Sequence, residues 1–246
     1  MTELLEAEKL RLVEVAPPSI PSETRAAMNR EWDEAVLANP ALFDGPVVLC
    51  AGLSRDAGDA GDAEDALLVS WSRTTYRYFA LRRVPGATVL RSLFVSVIQP
   101  TDDGRVLVGR MSRSTAAPGR WQFPGGSVEP PTGAEPLDER ALRRHAALEL
   151  AEETGVDIPD TALTRCLITY GDDGQVGVHY LAPPLPAPVL QDRFDALAAA
   201  EAARGRDPEF DRIVFVGSPA ELPRLEGPHV VYLEPVVRWT SRRVGS

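Results

Sequence analysis

Three carboxylates crowd one short run, Glu149, Glu152 and Glu153 in the stretch ELAEETG. On a helix, residues three and four apart share a side, so all three acids project together from its final turns. So placed they repel one another, and they lie where the helix dipole disfavours negative charge. A hard divalent cation removes that conflict, because Mg2+ and Mn2+ take oxygen ligands. Glu149, Glu152 and Glu153 are therefore the candidate metal ligands and the candidate catalytic set; a solvated acidic face is the bland alternative. Upstream, Phe123-Pro124-Gly125-Gly126 forms a turn whose glycines let backbone approach a metal or a phosphate closely. Arg110, Arg113 and Arg120 flank the adjoining Ser/Ala/Pro loop, and the planar fork of arginine suits a diphosphate. These three arginines with Gly125 and Gly126 are the candidate substrate-binding residues. Such a set could bring a divalent cation and arginines to bear on an anionic phosphate group.

The helix that must carry the acids has its own signals. Pro136 suits a first turn, where no N–H is wasted. Leu137, Ala141, Leu142, Leu148 and Ala151 can share a buried face at helical spacing. Gly155 stands where a C-terminal cap belongs. Between the glycine turn and this helix, Pro130, Pro131 and Gly133 make residues 130–139 a loop. Emerging beside the acids, it is expected to lie over bound substrate and to help choose the group beyond the diphosphate.

With these residues in view, Phe123-Pro124-Gly125-Gly126 and Glu149-Leu150-Ala151-Glu152-Glu153-Thr154-Gly155-Val156 resemble the Nudix box, written G-x5-E-x7-R-E-U-x-E-E-x-G-U with U aliphatic. The resemblance implies a Nudix α/β/α sandwich with a mixed sheet, and metal-dependent hydrolysis of a nucleoside diphosphate linked to another group. It also implies Mg2+, or Mn2+, as cofactor. Two departures mark this chain. Gly126 and Glu149 stand 23 positions apart where the pattern has 15, so eight residues are extra. The middle Glu of the box is left between Glu135 and Glu139. The Arg that precedes Glu149 in the pattern is Leu148 here; His145 and Arg144 are the nearby residues that could replace it. An interrupted box of this kind resembles the UDP-glucose pyrophosphatase branch. A UDP-sugar, cleaved to UMP and sugar 1-phosphate, is then the leading substrate. An ADP-ribose-type pyrophosphatase and a non-catalytic ligand sensor are the competing readings.

The elements around the box follow from pattern. Residues 9–16 alternate as a strand, Ser22 offers a helix N-cap, and 23–38 place Met28 and Trp32 at helical spacing before Asn39-Pro40. Trp32 and Phe43 are expected as core anchors of this N-terminal part. Strands are expected over 46–53, 66–72, 74–84 and 88–99, with a loop over 54–65. Asp102-Asp103-Gly104 turns into a strand over 105–110, and Asp172-Asp173-Gly174 joins 162–170 to 175–182. A helix over 190–204 and strands over 212–216 and 230–233 close the chain, with a basic tail containing Trp239. His179 reads as a satisfied core group, and Glu209 or Asp211 as an acid outside the box. The divide is placed at residue 88, with 1–87 an N-terminal α+β lobe and 88–246 the catalytic domain.

Composition excludes more than it selects. The chain has 246 residues, 44% hydrophobic, enough for a substantial core. Its net charge of −10 argues against a nucleic-acid groove, which needs basic side chains. It does not argue against nucleotides, because a metal can supply the positive charge. Cys50 and Cys166 lie in apolar runs and read as buried thiols. No signal peptide and no membrane-length apolar run is apparent, so a cytoplasmic protein is expected. The partner expected is a small-molecule nucleoside diphosphate derivative, with no nucleic acid and no membrane; a homodimer is compatible with the chain.

Overall fold

A computed structural model describes residues 2–40, 42–56, 66–88, 91–133, 135–172 and 174–243. Most of the loop expected over 54–65, and Asp173 of the second turn, lie outside them. The N-terminal part contains strands β1 (Thr2–Leu5) and β2 (Lys9–Glu14), helix α1 (Ser22–Ala38), and strands β3 (Pro46–Asp56) and β4 (Ala66–Thr75). Strands β5 (Arg91–Ile98), β6 (Val106–Met111) and β7 (Trp121–Gln122) lead to helix α2 (Glu139–Thr154). Strands β8 (Thr164–Gly171) and β9 (Val176–Leu181), helix α3 (Ala187–Ala203), strand β10 (Phe210–Val216) and helix α4 (Leu233–Arg243) complete it.

Seven strands form one mixed sheet in the order β1-β8-β9-β5-β3-β4-β2, and β10-β6-β7 form a second. The β5–β9 and β2–β4 pairs are parallel. Only residues 6–8 join β1 to β2, yet these strands lie at opposite ends of the sheet. A link that short reaches about 14 Å at most, so the sheet must curl until its ends nearly meet. Arg165 on β8 clamps the link, donating to the carbonyls of Ala7 and Glu8, each at 2.8 Å. The curled sheet encloses a core that includes Leu93, Val95, Val178 and Tyr180, with Leu142, Ala146 and Leu150 of α2 packed into it. This is the expected α/β sandwich. Among the described residues no helix is long and apolar enough to cross a membrane.

Several local expectations gave way to stronger interactions. Residues 76–83 form a 3-10 helix instead of continuing a strand. The Arg77 backbone N–H and Nε donate to Asp44, at 2.8 and 3.1 Å, and Tyr76 meets Phe79 edge-on. Helix α1 starts at Ser22 itself, with no side-chain cap. Helix α2 starts at Glu139, because Asp138 Oδ1 accepts the Ala141 N–H at 2.7 Å and so outcompetes Pro136 as the start signal. Its buried stripe is Leu142, Ala146, Leu150 and Glu153; Leu148 is out of phase with it and 53% exposed. Trp32 is a core residue as expected, but Phe43 is 78% exposed, since it sits in a loop with no element to turn it inward. Residues 230–232 lead through a turn, not a strand, into the amphipathic helix α4, which forms the basic tail and buries Leu233, Val236 and Val237.

Candidate functional site

The glycine turn is stitched to β5 as if it were a strand. Val97 N–H donates to the Pro124 carbonyl at 2.8 Å and Val95 N–H to that of Gly126 at 3.0 Å. Val128 N–H returns a bond to Leu93 O at 3.0 Å. Gly125 is forced into this position: its φ is +149°, and a Cβ there would strike the Val95 carbonyl and approach Ser96 Cα to 2.6 Å. Held so, Gly125 N–H points at the end of α2 and donates to Glu153 Oε2 at 2.6 Å.

The three box acids therefore have different surroundings. Glu153 is fully buried, and its Oε1 has no hydrogen-bond partner. Burial first, then the charges of Glu209 and Glu149, hold its carboxyl well above the usual carboxylate range, against the Gly125 hydrogen bond. Glu149 is half-buried and presses on Gly126, whose missing Cβ would lie 2.8 Å from the Glu149 Cδ. Glu152 is exposed, and partial desolvation with the neighbouring Glu149 charge pushes its carboxyl up.

Leu148 is exposed and does not line the buried side of α2, and the side chain beside Glu149 is His145. Its Nε2 stands 3.1 Å from Glu149 Oε1 and 3.1 Å from the Ser127 carbonyl. Both are acceptors, so the proton belongs on Nε2 and is shared between them. Burial alone would lower this histidine's pKa; the Glu149 hydrogen bond and charge, with Ser127 and Glu129, outweigh that and raise it. A histidine one turn before Glu149 thus ties the acid to the glycine turn.

Glu209 comes from outside the box. Its backbone is fixed at the start of β10, where its carbonyl accepts Ser112 N–H at 2.8 Å. The residue is exposed overall, yet desolvation of its carboxyl, reinforced by Glu149 and Glu152, pushes it up to about 7. Asp211, the other acid considered, is committed to Arg110, whose Nε donates to its Oδ1 at 2.7 Å. Glu135 and Glu139 lie elsewhere. Glu139 pairs with Arg165 at 3.1 Å, and Glu135 lines a separate cavity.

The site opens on one cleft of about 890 Å³. Glu129, Glu149, Glu152 and Glu209 line it, as do Gly125, Gly126 and Arg120. Arg110 and Arg113 are not among its lining residues: Arg110 rests over the Trp121 ring, 5.8 Å from its centroid, and Arg113 is exposed. The rest of the wall includes Phe43, Phe79 and Arg82. None of the described residues of the 130–139 loop lines this cleft. The loop's Gly133 and Leu137 line a second cavity of about 290 Å³ with Leu12 and Trp71 of the N-terminal strands. Arg73 fastens it there, donating to the Pro131 carbonyl at 2.7 Å and to Glu14 at 2.8 Å. The inserted residues join the N-terminal strands to α2, so the expectation that they cover the substrate is not met. His179 is fully buried, as expected, with Nδ1 2.6 Å from Ser96 Oγ and Nε2 2.8 Å from Thr169 Oγ1.

A curled mixed sheet, with an acidic helix docked on a glycine turn beside a cleft, is the Nudix architecture. The chain belongs to the NUDIX domain family, whose model matches residues 91–239. Among solved structures, the MutT protein from Methanosarcina mazei Go1 is 17% identical; 63% of this chain and 96% of that one are covered, at a TM-score of 0.42. The NUDIX domain of Shewanella oneidensis NrtR, complexed with ADP ribose, is 17% identical, with 70% and 100% covered at a TM-score of 0.39. A MutT/nudix family protein from Enterococcus faecalis is 18% identical at a TM-score of 0.33; the match spans 51% of this chain and 43% of that one. No curated protein matches the chain.

Proposed function

We propose that this protein hydrolyses the diphosphate of a nucleoside diphosphate linked to a sugar, with a UDP-sugar, cleaved to UMP and sugar 1-phosphate, as the leading case. The observation that carries the reading is Glu153: a fully buried carboxyl with one oxygen unpartnered, held by Gly125 and surrounded by other acids. An unsatisfied buried acid among like charges is costly for a fold to keep, and a bound cation reverses each of those costs. Among the described residues, no three His, Cys, Asp or Glu side chains are already gathered as a metal-holding group. What fits Mg2+ is the donor chemistry, hard oxygens with no thiolate among them. Glu149, Glu152 and Glu153 would hold the ion. When bound, it neutralises phosphoryl oxygens and activates water.

The remaining roles belong to the chain. Arg120, in the cleft wall, would bind a phosphoryl oxygen. Glu209 would take the proton from the attacking water. His145 would keep Glu149 oriented. The cleft volume, near the upper end of ordinary ligand sites, supports a substrate as large as a nucleotide-sugar.

The test is a panel of UDP-sugars, other nucleotide-sugars and ADP-ribose incubated with Mg2+, with products separated by chromatography. A nucleoside monophosphate and a sugar phosphate should appear, vanish with chelator and return with Mg2+ or Mn2+. Turnover that survives exhaustive chelation would sink the carboxylate–cation assignment. His145→Ala should lower metal affinity and turnover by roughly 10–100-fold, the usual cost of losing a group that orients a ligand. His145→Arg should recover part of that loss by reaching the same two acceptors. Equal losses in both variants would count against an orienting role.

A further inference from the structure

The acids and Arg120 account for one part of the cleft. The part formed by the N-terminal region has another character. Phe43 lies in the loop after α1, over Gly45, where an added Cβ would sit 3.1 Å from its Cδ1 and Cε1. The rest of the ring is open, leaving Phe43 78% exposed, and the residue lines the cleft. Val231, 65% exposed, lines the same cleft from the segment before α4. Arg82 lines it as well, its guanidinium 4.9 Å from the Phe79 ring centroid. No carboxylate pairs with Arg82 among the described residues. Asn39 Nδ2, at the end of α1, donates to the Thr115 carbonyl at 3.1 Å, which ties this region to the loop that leads to Arg120.

An exposed aromatic ring is unremarkable on an open surface. In a cleft continuous with a phosphate-directed site it offers a flat apolar face, and a planar ring gains most from covering it. The positive charge of Arg82, on the wall of the same cleft, suits the anionic neighbour such a ring carries.

We propose that the N-terminal region carries the nucleoside subsite, with the nucleobase stacked on Phe43 and Arg82 beside the adjoining phosphate; this rests on the reading of the cleft as a nucleoside diphosphate site. The inference makes the N-terminal region the part that recognises the substrate, and the box the part that cleaves it.

Calorimetric titration of UDP and of ADP into the full chain tests this directly, with inorganic pyrophosphate as the probe that lacks a base. Phe43→Ala should weaken the better-bound nucleoside diphosphate by roughly tenfold or more, leave pyrophosphate affinity unchanged, and be rescued by Phe43→Trp. Because Phe43 is exposed, the variant should keep the fold, and an unchanged thermal midpoint checks that. Unchanged nucleotide affinity in the alanine variant overturns the proposal. So does a weakening of pyrophosphate as large as that of the nucleotides. A rise in KM for nucleotide-sugars with UDP and ADP affinity unchanged would place the sugar, not the base, on Phe43, and overturns it too. If the expected pattern appears but nothing in the substrate panel is cleaved, the subsite stands and the hydrolytic reading fails. If the wild-type chain binds neither nucleotide, both fall.

Discussion

Glu153→Gln is expected to remove most turnover, by on the order of a hundredfold or more, while the fold stands. The metal-free carboxyl is already driven toward its neutral form by burial and by Glu209 and Glu149. Gln has the shape of that neutral form, and its carbonyl oxygen can still accept the Gly125 N–H that Oε2 now accepts at 2.6 Å. Stability without metal should therefore change little. What disappears is one anionic ligand, and the electrostatic help of a bound cation is worth several kcal/mol at the transition state, with each 1.4 kcal/mol or so a factor of ten in rate. The measurements are kcat at saturating Mg2+ and the shift in thermal midpoint that Mg2+ induces. Both should shrink together. A variant with near wild-type kcat and an unchanged Mg2+ shift would remove Glu153 from the ligand set.

Gly125→Ala should fail in a different way, losing stability and activity at once. The backbone there is in a region that only glycine adopts readily, at a typical cost of about 1–3 kcal/mol for other residues. The new methyl would also meet Val95 O and Ser96 Cα, which belong to backbone within the sheet and cannot swing aside. A combined loss of about 3 kcal/mol, lowering the melting midpoint by roughly 6–12 °C, is the expected result. Turnover should fall further than stability explains, because the N–H that fixes Glu153 is displaced. Gly126→Ala is the comparison. Its methyl would first meet the carboxylate end of Glu149, a side chain that can move, so activity should drop with a much smaller change in melting. If Gly125→Ala melts like the wild-type chain, the close stitching of the turn to β5 is wrong.

How far these features could be read from the chain depended on how local their causes are. The acids and their helix were legible because one turn of chain sets their spacing, and Gly155 ends the helix through its own φ of 72°. The helix start was not, because Pro136 and Asp138 both signal a beginning and only the side-chain bond to Ala141 decides between them. Leu148 shows the limit of residue type. It is apolar, but its angular position puts it outside, and phase outranks chemistry there. Phe43 belongs to no periodic element, so nothing in the chain said which way it would face. Glu209 was one of two acids in view, and the choice needed β10 paired to β6, which sends Asp211 to Arg110. The insert was read as a loop correctly, but its docking on the N-terminal strands was not legible, because its anchor, Arg73, is about 60 residues upstream, on β4.

The three-residue link between β1 and β2 has a consequence in time. Thr2 pairs opposite Gly171, and Glu6 is held by Arg243 at 2.7 Å and by Trp239 at 3.0 Å. During synthesis at about 5–20 residues per second, β1 must therefore wait roughly 10–30 s for its partner strand to be made. Strands β2, β3 and β4 can assemble with one another long before that. The curled sheet is thus closed by a stretch made about 170 residues before its partner, and a ribosome that stalls before β8 leaves that stretch without its native partner.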